Sequence, residues 1–222
     1  MRVVVTGRRA APDAPARRDD ADPQRLQISA DLTTPGAAED VVDAVMTRFG
    51  RLDVLVNNAG RRHSGSVVDT TPDDIAAVFA LNTFAAMAMT AAVVPAMIAQ
   101  HDGAVVNMVS RLATVGVRDL TTYSASKGAL LAYTRGAAIE LAEHNIRVNA
   151  VAPGMTHTPL IESWLADQPD PQAAIEDVVA DIPLHRLALS EDVAGAVAYL
   201  ASADATYLTG VCLPVDGGYT AR

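Results

Sequence analysis

Leu52-Asp53-Val54-Leu55-Val56-Asn57-Asn58-Ala59-Gly60 is the stretch that decides the fold. A short apolar run, too brief for a helix and closed by polar and small residues, reads as a strand buried on both faces. Eleven residues further on, Thr71-Pro72-Asp73-Asp74 supplies a helix N-cap, a proline at the first helical position and two acids in the first turn. A long helix is expected from there to about Gln100. Asp102-Gly103 is a turn signal, and Ala104-Val105-Val106-Asn107-Met108-Val109 is a second buried strand. A helix over about Thr121 to Glu143 leads into the strand Ile146-Arg147-Val148-Asn149-Ala150-Val151, stopped by Pro153-Gly154. Helical patterns near Gln172 to Ala180 and Ser190 to Ala201 precede a last strand at Val211 to Val215. Strands alternating with helices predict a doubly wound, mostly parallel α/β sheet, with residues 1–222 forming a single domain.

Composition narrows the function. Acidic residues outnumber basic ones 26 to 17, for a net charge of −9, the wrong sign for gripping phosphate backbones. Nucleic acid is therefore not an expected partner. The single cysteine, Cys212, excludes an intramolecular disulfide, and no Cys/His cluster has metal-ligand spacing, so no metal is expected and a cytoplasmic setting fits. Met1 to Thr6 is too short for a signal peptide. The apolar run Phe84 to Ala99 falls short of the ~20 residues that span a bilayer and contains Pro95, so it reads as a buried helix and no membrane partner is expected.

Tyr123 and Lys127 stand four apart in a predicted helix, so both side chains project from one face. A phenol with pKa near ~10 is a poor base at neutral pH, but a nearby ammonium favours the phenolate. Such a pair can exchange a proton with a hydroxyl or carbonyl oxygen. Chance placement on a solvated face is the competing reading, weakened because Lys127 is the only lysine of the chain.

Tyr123-Ser124-Ala125-Ser126-Lys127 resembles the Tyr-x-x-x-Lys motif of the short-chain dehydrogenase/reductase family, and the likeness runs from about Leu26 to Tyr219. Ser110 lies where that family keeps its serine, Asn57-Asn58-Ala59-Gly60 matches its Asn-Asn-Ala-Gly, and Asn82 falls at its helix asparagine. Pro153-Gly154-Met155-Thr156-His157-Thr158 resembles its nicotinamide-contacting segment, and Asp216-Gly217-Gly218 its C-terminal signature. The resemblance implies a Rossmann-like fold and oxidation or reduction of a carbonyl or secondary alcohol with NAD or NADP. It implies Tyr123 as general acid/base, Lys127 lowering its pKa and holding the nicotinamide ribose, Ser110 bonding the substrate oxygen, and Asn82 positioning a relay water. Cofactor contacts are implied for Gly7, Asp31, Asn58, Ala59, Gly60, Pro153, Gly154, Thr156 and Thr158, besides Tyr123 and Lys127. Residues that cap local structure compete with these roles: Ser110 at a strand end, Asn82 on helix backbone, Asp31 at a helix start.

The pattern breaks near the N-terminus. Thr6-Gly7 matches the start of the family's Thr-Gly-x-x-x-Gly-x-Gly turn, but the next glycine positions hold Ala11 and Asp13. Only 23 residues separate Gly7 from Asp31, whereas two crossovers with their middle strand need on the order of 60. Residues 8–25 then read as an irregular loop replacing a helix and strand, so that part of the first βαβ unit is lacking. Three readings follow. Cofactor binds through the surviving half-site, with Arg8, Arg9, Arg17 or Arg18 meeting phosphate. Alternatively, the site performs redox-neutral proton chemistry such as dehydration, isomerisation or retro-aldol cleavage without cofactor, or the chain is a non-catalytic subunit.

Residues 155–188, with Leu160, Ile161 and Trp164, lie where the family places its substrate lid, which suits a small molecule bearing a carbonyl or hydroxyl. In relatives the helix to Gln100 and the Tyr123 helix form an interface, so a homodimer or homotetramer is expected.

Overall fold

The structure, a computed structural model, describes residues 2–7 and 24–221. Six strands are described: β1 (Val3–Gly7), β2 (Arg25–Ser29), β3 (Val54–Asn57), β4 (Gly103–Met108), β5 (Ile146–Pro153) and β6 (Cys212–Val215). All pairings are parallel, and β3-β4-β5-β6 form one ladder in chain order. Helix α1 (Ala37–Phe49) precedes β3, and α2 (Pro72–Phe79) and α3 (Ala85–Gln100) join β3 to β4. Helix α4 (Thr121–Leu141) joins β4 to β5, while α5 (Pro159–Ala166), α6 (Pro171–Ala180) and α7 (Ser190–Ala201) lie between β5 and β6. The expected strands and helices beyond residue 50 are present, and α5 is an addition within the expected lid.

One face of the sheet carries the main core, where Val41, Val42, Met89, Val93, Met97 and Leu141 close over Val105 and Val148. The run from Pro72 to Gln100 is long and apolar enough to cross a membrane, yet Met89, Val93 and Met97 spend that apolarity on this core. Pro95 does not break the helix. A buried polar network ties four elements together beneath it. Asn57 Nδ2 donates to Ala86 O, Thr90 Oγ1 and Asn107 Oδ1, and Asn107 Nδ2 donates to Thr134 Oγ1. Every polar atom needed here has a partner, which locks β3, α3, β4 and α4 in one register.

The opposite face is covered only in part. Val106 of β4 is fully buried under Val193 and Leu200 of α7, but its register partner on β3, Val56, is 40% exposed. Among the described residues, the helix layer on this face stops one strand short.

The N-terminal strand corrects the sequence reading. β1 pairs with β2, the strand leading to Asp31, and not with β3. In a doubly wound sheet of order 3-2-1-4, the neighbour of the third strand is the second, and the neighbour of the fourth is the first. β1 therefore takes the second-strand place, and Gly7 does not open the phosphate-binding turn that the comparison with Thr-Gly-x-x-x-Gly-x-Gly assigned to it. The arithmetic agrees: the 17 residues between Gly7 and Arg25 suffice for one parallel crossover, which needs at least ~10–12. The expected loop 8–25 is also shortened, because Arg25 is already in β2. Residues 8–23, including Arg8, Arg9, Ala11, Asp13, Arg17 and Arg18, lie outside the described residues.

Candidate active site

Parallel strands deliver their C-terminal ends to one edge of the sheet, where ligands of such folds bind. Here those ends lead into Asn58-Ala59-Gly60, Ser110 and Pro153-Gly154. Tyr123 and Lys127, one turn apart near the start of α4, face this edge.

The long helix does not run evenly to Gln100. Between α2 and α3, residues Ala80–Phe84 form a π-helical turn, in which Ala85 N–H reaches Ala80 O. One extra residue in a turn re-aims the side chains around it. Asn82, fully buried there, accepts from Arg61 N–H at 2.8 Å and donates to Arg61 O at 2.9 Å and Ser126 Oγ at 3.0 Å. It clamps the loop after β3 onto α4. A methyl group on Gly60 would stand 3.3 Å from Asn82 Oδ1 and 3.4 Å from Lys127 Nζ, so glycine there permits the close approach.

Lys127 is 4% exposed and donates to Met108 O at 2.7 Å. Burial holds its ammonium down at a pKa of about 8. An ammonium has three N–H groups, and this single bond leaves two. Its Nζ lies 6.0 Å from the centre of the Tyr123 ring. Burial raises the Tyr123 pKa above the ordinary phenol value, while Ser110 and the charge of Arg62 pull it the other way. Burial outweighs the opposing influences of Ser110 and Arg62 on this phenol. At neutral pH Tyr123 is thus a protonated donor. Ser110 also accepts from Leu112 N–H at 3.1 Å, so the reading of Ser110 as a cap of local structure holds.

The remaining expected contacts divide. Asn58, Ala59 and Gly60 are exposed at the sheet edge. Asp31 accepts from the Thr33 backbone and hydroxyl at 3.0 and 2.7 Å, which caps a turn but not α1, whose N-cap is Gly36. Gly154 packs against the end of β6, where a methyl group would meet Asp216 Cα at 2.7 Å. Asp216 binds the C-terminal turn through Gly218 N–H, Thr220 N–H and Thr220 Oγ1. Thr156 and Thr158 hydroxyls donate to nearby backbone carbonyls, Gly154 O and Thr156 O. A cavity of about 510 Å³ opens between this segment and the C-terminal turn, lined by Met155, Ile182 and Pro214 among others, and none of Asn82, Ser110, Tyr123 or Lys127 reaches it. Sequence reading passed over Arg62, whose guanidinium lies 5.5 Å above the Trp164 ring of α5.

A nicotinamide dinucleotide fits these residues at one end. Lys127, with two N–H groups to spare beside Tyr123, suits a ribose diol. The diphosphate end calls for a glycine-rich turn on a strand beside β3, and among the described residues no strand pairs with that edge.

The comparisons with known proteins agree with this geometry. The family profile described as enoyl-(acyl carrier protein) reductase matches residues 1–220. The chain is 39% identical over 199 residues to 2-(R)-hydroxypropyl-CoM dehydrogenase of Xanthobacter autotrophicus, covering 88% of this chain and 78% of the relative. An NAD+-bound xylitol dehydrogenase superposes with a TM-score of 0.83 at 33% identity, over 88% of this chain and 79% of that one. ElxO with NADP bound superposes with a TM-score of 0.90 at 27% identity, over all of this chain and 90% of that one. A parallel sheet that delivers a tyrosine and a lysine to one edge, matched along its length by dehydrogenases of the same build, places this chain in the short-chain dehydrogenase/reductase family of oxidoreductases.

Proposed function

We propose that this protein interconverts a carbonyl compound and its secondary alcohol, with NAD or NADP as hydride partner. The observation that carries the reading is the half-buried Tyr123 phenol, held protonated beside the buried Ser110 and Lys127. A bound nicotinamide would give or take the hydride. The chain's own residues handle the oxygen. Ser110 bonds the substrate oxygen, and Tyr123 donates its proton as charge develops there. Lys127 holds the ribose of the cofactor, and Asn82 keeps the loop of Gly60 at the distance that cofactor requires. Pro153, Gly154, Thr156 and Thr158 form the wall at the nicotinamide end, and Asn58 and Ala59 the rim. Asp31 stands at the adenine side. Substrates are small molecules bearing a carbonyl or hydroxyl group, covered by the 155–188 segment, and the setting is the cytoplasm.

The test is a screen of ketones, aldehydes and secondary alcohols with both cofactors in each redox state, following cofactor absorbance. Turnover with one cofactor is expected. Tight binding of neither cofactor up to millimolar concentration, with no turnover, would sink the reading.

We also infer a homodimer or homotetramer built on α3 and α4, whose outer residues Met87 and Ile139 are exposed together with Phe84 of the π turn. Light scattering is expected to give twice or four times the chain mass; the mass of one chain would overturn this.

A further inference from the structure

Arg62 is placed with care and used by nothing described so far. Asn82 grips both backbone polar groups of Arg61, so the residue after it leaves the loop in a set direction. That direction brings the guanidinium over the ring of Trp164 on the lid helix α5 and near enough to Tyr123 for the two groups to influence each other's titration. The side chain is half-buried. Desolvation lowers its pKa, a cost that interior cations normally offset by pairing with a carboxylate. Arg62 has no such pair: among the described residues its neighbours are the Trp164 ring and the Tyr123 phenol, which is neutral at pH 7. A cation–π contact engages none of the N–H groups in a hydrogen bond to a carboxylate, and among the described residues no carboxylate pairs with this fork.

We propose that Arg62 is a specificity residue that binds the carboxylate of the substrate, so that the protein acts on small oxo or hydroxy carboxylic acids whose reacting carbon lies within a few atoms of the acid group. The inference rests on the oxidoreductase reading for what happens at that carbon. The binding itself does not depend on it. With the carboxylate held by Arg62, the carbonyl oxygen faces Ser110 and Tyr123, and Trp164 carries lid closure to the same side chain. A neutral ketone of equal size leaves a desolvated cation without a counter-charge.

Trp164 is the only tryptophan, so its emission reports the Arg62 site without interference. The purified full chain is titrated with straight-chain 2-oxo and 3-oxo acids of about four to eight carbons and with their methyl esters, following Trp164 emission and, independently, equilibrium dialysis. At least one acid is expected to bind ten to a hundred times more tightly than its ester, the range of a charge-assisted hydrogen-bonded pair. Arg62→Met is expected to erase that preference, and Arg62→Lys to keep part of it, with the far-ultraviolet dichroism of both variants unchanged. If no acid outbinds its ester, or if the preference survives in Arg62→Met, the proposal is wrong. The two readings fail separately. Turnover of neutral ketones, undiminished in Arg62→Met, keeps the oxidoreductase and discards the acid site. Arg62-dependent acid binding without turnover does the reverse.

Discussion

Tyr123→Phe is expected to lower kcat by a factor of about 10² to 10⁴, the usual contribution of a positioned proton donor. The substitution removes one oxygen and keeps the ring. That ring is packed in the site, and the hydrogen-bond partner of the phenolic oxygen is another site residue, Ser110, so the melting temperature is expected to change by no more than about 2–4 degrees. The loss should fall on the chemical step, because the groups proposed to hold substrate, Ser110 and Arg62, are left in place. Burial, the larger influence on this phenol, keeps it protonated at neutral pH, ready to donate as a carbonyl oxygen gains charge. Steady-state rates with the best substrate of the screen check this. Turnover retained within a few-fold would show that another group, or water, supplies the proton.

Lys127→Met is expected to do two opposite things: abolish most turnover and raise stability at pH 7. The ammonium is nearly fully buried with one carbonyl partner, and its pKa falls from 10.5 to about 8. A shift of that size corresponds to about 3 kcal/mol of penalty for burying the charge. Below pH 8 both folded and unfolded chains hold the proton, and the penalty is paid in full. Between pH 8 and 10.5 the folded chain loses its proton first, so the unfolded chain binds more protons and stability rises with pH. Above 10.5 the penalty is gone. Methionine fills the same space without charge but leaves Met108 O one donor short, so the net gain at pH 7 is expected to be about 1–3 kcal/mol, or several degrees in Tm. Urea titrations of both proteins from pH 7 to 10.5 should show the gap closing as pH rises. Equal stability at pH 7 and parallel pH curves would mean that water reaches the ammonium. A charge kept at such a cost in the interior is a mark of function over stability.

The chain itself determined much of this. Residues 104–109 form a nearly continuous apolar run and 146–151 is apolar on the Ile146-Val148-Ala150 face, and such short strands alternating with helices made a parallel ladder legible. A four-residue spacing in a helix puts Tyr123 and Lys127 on one face whatever surrounds them. Ser110 and Asn82 were singled out only by the resemblance to the short-chain dehydrogenase/reductase pattern. Local residues carry those signals.

What only the tertiary structure decided depends on partners distant in sequence. Val3-Val4-Val5-Thr6-Gly7 reads as a buried strand in either of two places in the sheet, and nothing in its own residues says which neighbour it bonds. Only its ladder with β2 moves it to the second-strand position and removes Gly7 from the dinucleotide crevice. The π turn at Ala80–Phe84 leaves no mark in an Ala-rich helical pattern, since it is stabilised by the bonds of Asn82 to Arg61 and Ser126, 21 and 44 residues away. Asn57 and Asn107 read as ordinary strand residues until β3 and β4 align them within hydrogen-bond reach. Arg62 was hidden for the same reason. A loop arginine has no periodicity to read, and its role follows from where Asn82 aims it and from the indole that packs against it, about a hundred residues further along the chain.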